Sequence, residues 1–282
     1  MTIDSAVVRD GHLALVQPDS LPKLPPKRRD FTQLQMRLGA TEIMHPGKAG
    51  GSATILHLAM ISSNPPLTLR QAIGTVNWWA DSLTMDFASF RLPASRATLR
   101  GSIDWAKTGP PRLNLRLNAD TVSLADVAWV TTLIPKSGGT GSTELIIRSG
   151  KDPQNLEYVL SKMDIRMTKS RLAGGFTAIV GKSVAITNLA LDARPFDLDL
   201  GREIFGESLP PKVWQGALTG TVRGVGGPLT ALRLNAVDLA FTDRRAQNAV
   251  SQLSLSGVLD VKAKPVQLHQ IEVLLHDLDV RT

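Results

Sequence analysis

The chain has 282 residues and carries 32 basic against 25 acidic side chains, a net charge of +7. Without cysteine it can hold no disulfide framework, no thiolate metal site and no cysteine nucleophile. The apolar share of 43% is enough for a sizeable buried surface, but aromatic residues are only 5%, so that surface is mostly Leu, Val, Ile and Ala.

In chain order, the opening "MTIDSAVVRDGHLALV" lacks the basic start and apolar run of a signal peptide and reads as strand. The dense basic cluster Lys27, Arg28 and Arg29 follows a pair of prolines. "TQLQMRL" then places Leu34, Met36 and Leu38 on one face of an extended chain, and "DSLTMDFASF" does the same for Leu83, Met85 and Phe87. "RLNLRLNAD" alternates without a fault, with Leu113, Leu115, Leu117 and Ala119 on one side and Arg112, Asn114, Arg116, Asn118 and Asp120 on the other. A short helix is predicted from Ser123 towards Leu133, ended by Pro135, with Ser123 as its cap and Asp126 closing a weak capping box.

Beyond it, "SKMDIRM" aligns Met163, Ile165 and Met167, and "PFDLDLG" reads as a strand aligning Phe196, Leu198 and Leu200. A second helical turn or two is predicted in "LGREIFGESLP". "SQLSLSGVLDVKAK" gives Leu253, Leu255, Leu259 and Val261, with Gly257 in the same row. The final "IEVLLHDLDVRT" breaks off inside a strand pattern, so the sequence reads as one piece of a longer protein. No stretch approaches the roughly 20 apolar residues that span a bilayer as a helix.

A motif of the form apolar-x-Gly-x-apolar returns at Gly101, Gly141, Gly174, Gly220 and Gly257, at intervals of 40, 33, 46 and 37 residues by position. "LIPKSGGTG" resembles "LPPKVWQG", and "LPPK" also occurs at Leu24–Lys27. Such irregular repetition suits a meandering sheet that grows by similar units better than a propeller. A mid-strand glycine packs nothing, so it marks a bulge, a bend or a close backbone approach, and a row of them lets a long sheet curl.

Signals for chemistry are few. "SGGTGST" resembles a phosphate loop, but a strand follows it and no lysine stands in the Walker position, so it reads as an inter-strand turn. The five histidines have no metal-ligand spacing, no nucleophile elbow is present, and the carboxylates are dispersed along wet strand faces. Basic residues are not interleaved with aromatics, so nucleic acid is not an expected partner. No catalytic, cofactor or metal residue is proposed, and the chain is read as a non-enzyme.

The run "LNLRLNADTVSLADVAWVTTLIP", the glycine-rich turn, "TELIIRS", "LSKMDIRMTKSRLAGGFTAIVGKSVAITNLALDARPFDLDL" and "WQGALTGTVRGVGGPLTALRLNAVDLAFTD" resembles the AsmA-like proteins of Gram-negative bacteria, the TamB and YhdP types among them. The resemblance covers Leu99 to Thr282, while residues 1–98 share only the strand rhythm. It implies an all-β fold: a long antiparallel meander of repeated strand units, curled into an open U-shaped groove with an apolar floor. Residues 1–98 and 99–282 would then be continuous stretches of one such groove. It also implies a periplasmic lipid-transfer segment, tethered to the inner membrane in its full-length parent. Such a segment carries phospholipid between inner- and outer-membrane surfaces or the envelope proteins there. Leu113, Leu115, Leu117, Phe196, Leu198, Leu200, Leu253, Leu255, Leu259 and Val261 would line the groove. Each methylene taken out of water gains about 0.8 kcal/mol, so such a floor holds a tail without polar anchors. Alternation alone is equally consistent with a closed sandwich, and strand-edge pairing with outer-membrane proteins is the alternative function.

Overall fold

The computed structural model describes residues 2–17, 27–43, 50–64, 66–105, 110–129, 134–152, 154–205, 216–228, 232–243, 249–264 and 267–281. The fold is the expected all-β antiparallel meander, and its sixteen strands among the described residues belong to one open sheet. Contacts divide the chain into two compact units, Met1–Asn118 and Ala119–Thr282. In the first, β1 (Thr2–Ile3) and β2 (Ala6–Gln17) both pair with β3 (Lys27–Glu42) and form one interrupted edge. The meander continues in chain order through β4 (Gly50–Ser63), β5 (Pro66–Trp79), β6 (Ser82–Arg91), β7 (Arg96–Asp104) and β8 (Arg112–Ser123).

The division falls inside β8. The second unit contains α1 (Leu124–Val127), β9 (Thr140–Ser149), β10 (Leu156–Met167), β11 (Ser170–Val180) and β12 (Val184–Asp197). After α2 (Leu198–Phe205) come β13 (Gly216–Pro228), β14 (Leu232–Asp243), β15 (Ala249–Lys264) and β16 (Gln267–Arg281), each pairing with the next.

Bulges interrupt most of these ladders. An extra residue on one strand bends it locally and shifts its alternation by one. Between β4 and β5, Ile55 faces Gly74 and Leu58 faces Ala72, three steps against two. Between β6 and β7, Phe87 faces Leu99 and Phe90 faces Ala97, again three against two. Four non-glycine residues take positive φ, at 50° for Asp10, 51° for Gln33 and Lys162, and 54° for Asn188. Each sits at a register shift of its own strand, so this left-handed strain is concentrated where the ladder slips.

Two sequence expectations are corrected. Among the described residues the helix after β8 comprises the four residues of α1, and Ser123 makes no side-chain cap hydrogen bond to it; residues 130–133 of the expected helix lie outside the described ones. "PFDLDLG" is not a continuous strand: β12 ends at Asp197, and Leu198 and Leu200 are the first and third residues of α2. The physical cause is Asp197, whose Oδ1 accepts a hydrogen bond from the Asp199 N–H at 2.8 Å and caps the helix. The Asp197 N–H in turn donates to Ser170 Oγ at 2.8 Å, which fixes the turning point on β11. The i, i+2 spacing of Phe196, Leu198 and Leu200 is the strand period, and the cap overrides it.

Candidate functional site

The first unit gathers most of its apolar side chains on one face of the sheet, with Ile61 and Ile73 on the other by register. Directly paired residues project to the same side, so the ladders can be followed from strand to strand. Leu38 pairs with Ile55, Ile55 with Gly74, Gly74 with Phe87 and Phe87 with Leu99. One row over, Ala53, Val76, Met85 and Gly101 follow one another. Past the bulges, Leu58, Ala72, Phe90 and Ala97 continue the same side. Ile55, Leu69, Ala72 and Phe87 form the buried centre, and Leu58, Met60, Val76, Met85, Phe90 and Leu99 pack around it. The face reaches β8, where Leu113, Leu115 and Leu117 are half-buried and alternate with exposed Arg112, Asn114, Arg116 and Asn118.

The second unit repeats the arrangement over β10 to β13, where one ladder runs Met163, Gly174, Leu191 and Val222; its backbone register continues through β14 to β16. Its neighbour runs Gly141, Ile165, Leu172, Ala193 and Gly220. A bulge at Arg194 and Pro195 lets Phe196 pair with Leu218, so Phe196 stays on the side of Ala193 and Leu191. On β10 the bulge at Lys162 joins Leu156, Tyr158 and Leu160 to Met163 and Ile165 on this same side.

The recurring glycines belong to these apolar faces. A Cβ at Gly74, Gly101, Gly141 or Gly174 would lie 2.0–2.1 Å from a carbonyl oxygen of the adjacent strand. Gly174 also has a φ of 129°, which side-chain-bearing residues rarely adopt. Of the uses open to a mid-strand glycine, close backbone approach is the one these positions share.

The opposite faces carry the ion pairs. Arg100 Nε donates to Asp86 Oδ1 at 2.9 Å in the first unit. In the second, Arg148 pairs with Glu157, Lys162 with Glu144, Arg171 with Asp164 and Arg194 with Asp192. Ile146, Val159 and Ile179 share this side by register, so it is mixed and not wholly polar. Arg171, donating to both oxygens of Asp164 at 2.7 and 2.6 Å, holds that carboxyl below its usual range. Hydrogen bonding from Arg194, and more weakly from Thr221, does the same for Asp192.

The glycine-rich turn is an inter-strand connection. Gly138 N–H donates to Pro135 O, and Leu124 N–H donates to Gly139 O. The Ser137 N–H is taken by Glu203 Oε1 of α2 at 2.6 Å, which lowers the Glu203 pKa. A carboxylate on that N–H occupies the place an anion would need. Among the described residues no group of three or more His, Asp or Glu is placed to hold a metal ion, and no helix is long and apolar enough to cross a membrane.

Of the ten residues expected on an apolar floor, Leu113, Leu115 and Leu117 occupy the half-buried side of β8, and Phe196 takes the register position of the second apolar face. Leu198 and Leu200 are helical, with Leu200 buried. Leu253, Leu255, Leu259 and Val261 pair through the backbone with Leu239, Ala236, Leu232 and Val273, but their side chains lie outside the described ones. Alternation placed Phe87 but missed Ile55, Leu69 and Ala72 at the centre of the first unit. Its signal was a step of three between apolar residues, as in Ile55 to Leu58 and Phe87 to Phe90, which marks a bulge within a strand, and Leu160 to Met163 makes the same step in the second unit. The chain matches no family profile, no curated protein and no solved structure.

Proposed function

We propose that this chain is a non-enzymatic lipid-transfer segment of a cell-envelope protein, carrying phospholipid acyl chains along the apolar side of its sheet between inner and outer membrane. The observation that carries the reading is continuity. In each unit the apolar side is preserved from strand to strand across repeated bulges, and each bulge restores a face that simple alternation would have lost. A surface kept apolar over many strands, with Leu113, Leu115 and Leu117 still half-exposed on it, suits a sliding tail. Glycines on that side allow neighbouring backbones to close in, which favours a trough. The resemblance of Leu99–Thr282 to AsmA-like proteins supports the same reading, with a periplasmic location and an anchored parent.

The open edge formed by β1 and β2 favours a second reading, in which the sheet accepts a strand from an outer-membrane protein. Native mass spectrometry after mild extraction separates the two, because phospholipid should leave with the wild-type protein. Leu115→Asp puts a carboxylate on the tail's path, where an unpaired charge costs several kcal/mol to desolvate. Water reaches this position, so the variant should keep its β content and lose its lipid. Leu115→Met should retain lipid, since it keeps the apolar volume. A folded Asp variant with full lipid would refute Leu115 as part of the path. A lipid-free wild type that captures an extended β-signal peptide would favour edge pairing.

A further inference from the structure

At one strand end of the first unit, four arginines stand among exposed apolar side chains. Arg91 and Arg96 face each other directly across the β6–β7 hairpin. Like charges opposed in this way destabilise a sheet, and neither arginine has an ion-pair partner among the described residues. Gln71, paired with Arg91, follows Arg70 at a bulge, so Arg70 shares their side of the sheet. On β3 at the same end, Arg29 is exposed. Among the described residues Asp30 is the carboxylate here, and it is already engaged by Arg28 and His12. Asp86, further along β6, is engaged by Arg100.

The apolar part of this end is equally exposed. Leu13, Leu15 and Val16, at the end of edge strand β2, are 47%, 51% and 57% exposed. The hairpin between Arg91 and Arg96 closes through Leu92 N–H donating to Ser95 O at 3.0 Å, which presents Pro93 and Ala94 outward. Arginine flanking short apolar tips matches a lipid interface: guanidinium meets phosphate while the tips enter the headgroup boundary.

We propose that this strand end, from Leu13–Val16 and Arg29 to the Arg91–Arg96 hairpin, docks on an anionic phospholipid bilayer. The occupant follows from charge complementarity together with the apolar tips. A free nucleic acid would use the arginines and leave the tips in water. The proposal does not depend on lipid carriage along the apolar side. Arg91→Ser/Arg96→Ser should leave bound lipid in place, and Leu115→Asp should leave docking intact.

The test is flotation of the full chain with vesicles of phosphatidylcholine containing roughly one-third phosphatidylglycerol, against pure phosphatidylcholine. Each basic residue at such a surface contributes about 1 kcal/mol, so the double serine variant should partition about 30-fold less onto the anionic vesicles. Arg91→Lys/Arg96→Lys should bind like wild type. Leu15→Ser should weaken binding without changing its salt dependence, while raising salt should weaken the wild type, because screening shortens to a few ångströms. Equal binding to neutral and anionic vesicles, or a serine variant that binds as wild type, would overturn the proposal. So would a serine variant that loses single-stranded RNA but keeps its vesicles.

Discussion

Gly174→Ala is the most direct test of why glycine recurs in these strands. The added methyl carbon would sit 2.0 Å from the Ala190 carbonyl oxygen and 3.1 Å from the Leu191 Cα. An ordinary contact needs well over 3 Å, so β11 and β12 must part by more than an ångström where Gly174 pairs with Leu191. Two costs combine. A side chain at this φ costs about 1–3 kcal/mol. Loosening one or two ladder hydrogen bonds adds about 1 kcal/mol each. A destabilisation of about 3 kcal/mol follows.

Gly138→Ala is the matched control. Its φ is also positive, at 75°, but a Cβ there meets nothing within 4 Å, so it should cost only about 1 kcal/mol. Urea unfolding reads the difference. With a slope of roughly 3 kcal/mol/M for a chain of this size, Gly174→Ala should lower the midpoint by about 1 M and Gly138→Ala by about a third of that. If the sheet unfolds in parts, as extended repeat arrays do, hydrogen exchange of the β11 and β12 amides gives the same comparison locally. Equal effects from the two substitutions would refute close approach as the reason for Gly174.

Two further outcomes follow from the packing and the charges. Phe87→Ala, in the buried centre of the first unit with 8% exposure, should cost about 3 kcal/mol, whereas Leu115→Ala at the half-exposed β8 should cost about half as much; similar values by urea unfolding would mean that β8 is covered as well as the centre is. Asp164 has a folded pKa below its ordinary 3.8, mainly through hydrogen bonding to Arg171. Its contribution is therefore present above the ordinary value and is lost as pH falls through the lower folded value. Asp164→Asn should be less stable than wild type at neutral pH and should converge with it in acid, and a gap that persists undiminished below the folded value would rule the ion pair out as its cause.

The strand class was legible because alternation is a local property. "RLNLRLNAD" fixes which side of β8 meets water before any partner is known. The five-glycine motif was legible as a repeat, though not for its geometry, because the clash is with the backbone of another strand. Two things were hidden. The end of β12 is set by the Asp197 cap and its bond to Ser170, 27 residues away, which no window around "PFDLDLG" contains. Most of the centre of the first unit, Phe87 apart, was hidden by phase. A reader of period two sees Ile55 and Leu58 on opposite faces, and only the ladder with Gly74 and Ala72 shows that they share one.

That phase correction bears on what the sheet is for. A strand needs one apolar side to pack, but a single bulge leaves half of it pointing the wrong way unless the sequence slips by the same residue. In β4, β6 and β10 the sequence does slip, each time by a step of three, and each time at the bulge. Bulge and sequence are therefore matched strand by strand. Straight strands with strict alternation would have built an equally apolar face with less strain, without the positive φ of Gln33, Lys162 and Asn188. What the bulges add is bending, since each extra residue sharpens the local twist. Within each unit, then, the strands accept this strain and still keep an apolar side through their bulges, and that is the feature on which the proposed acyl-chain path rests.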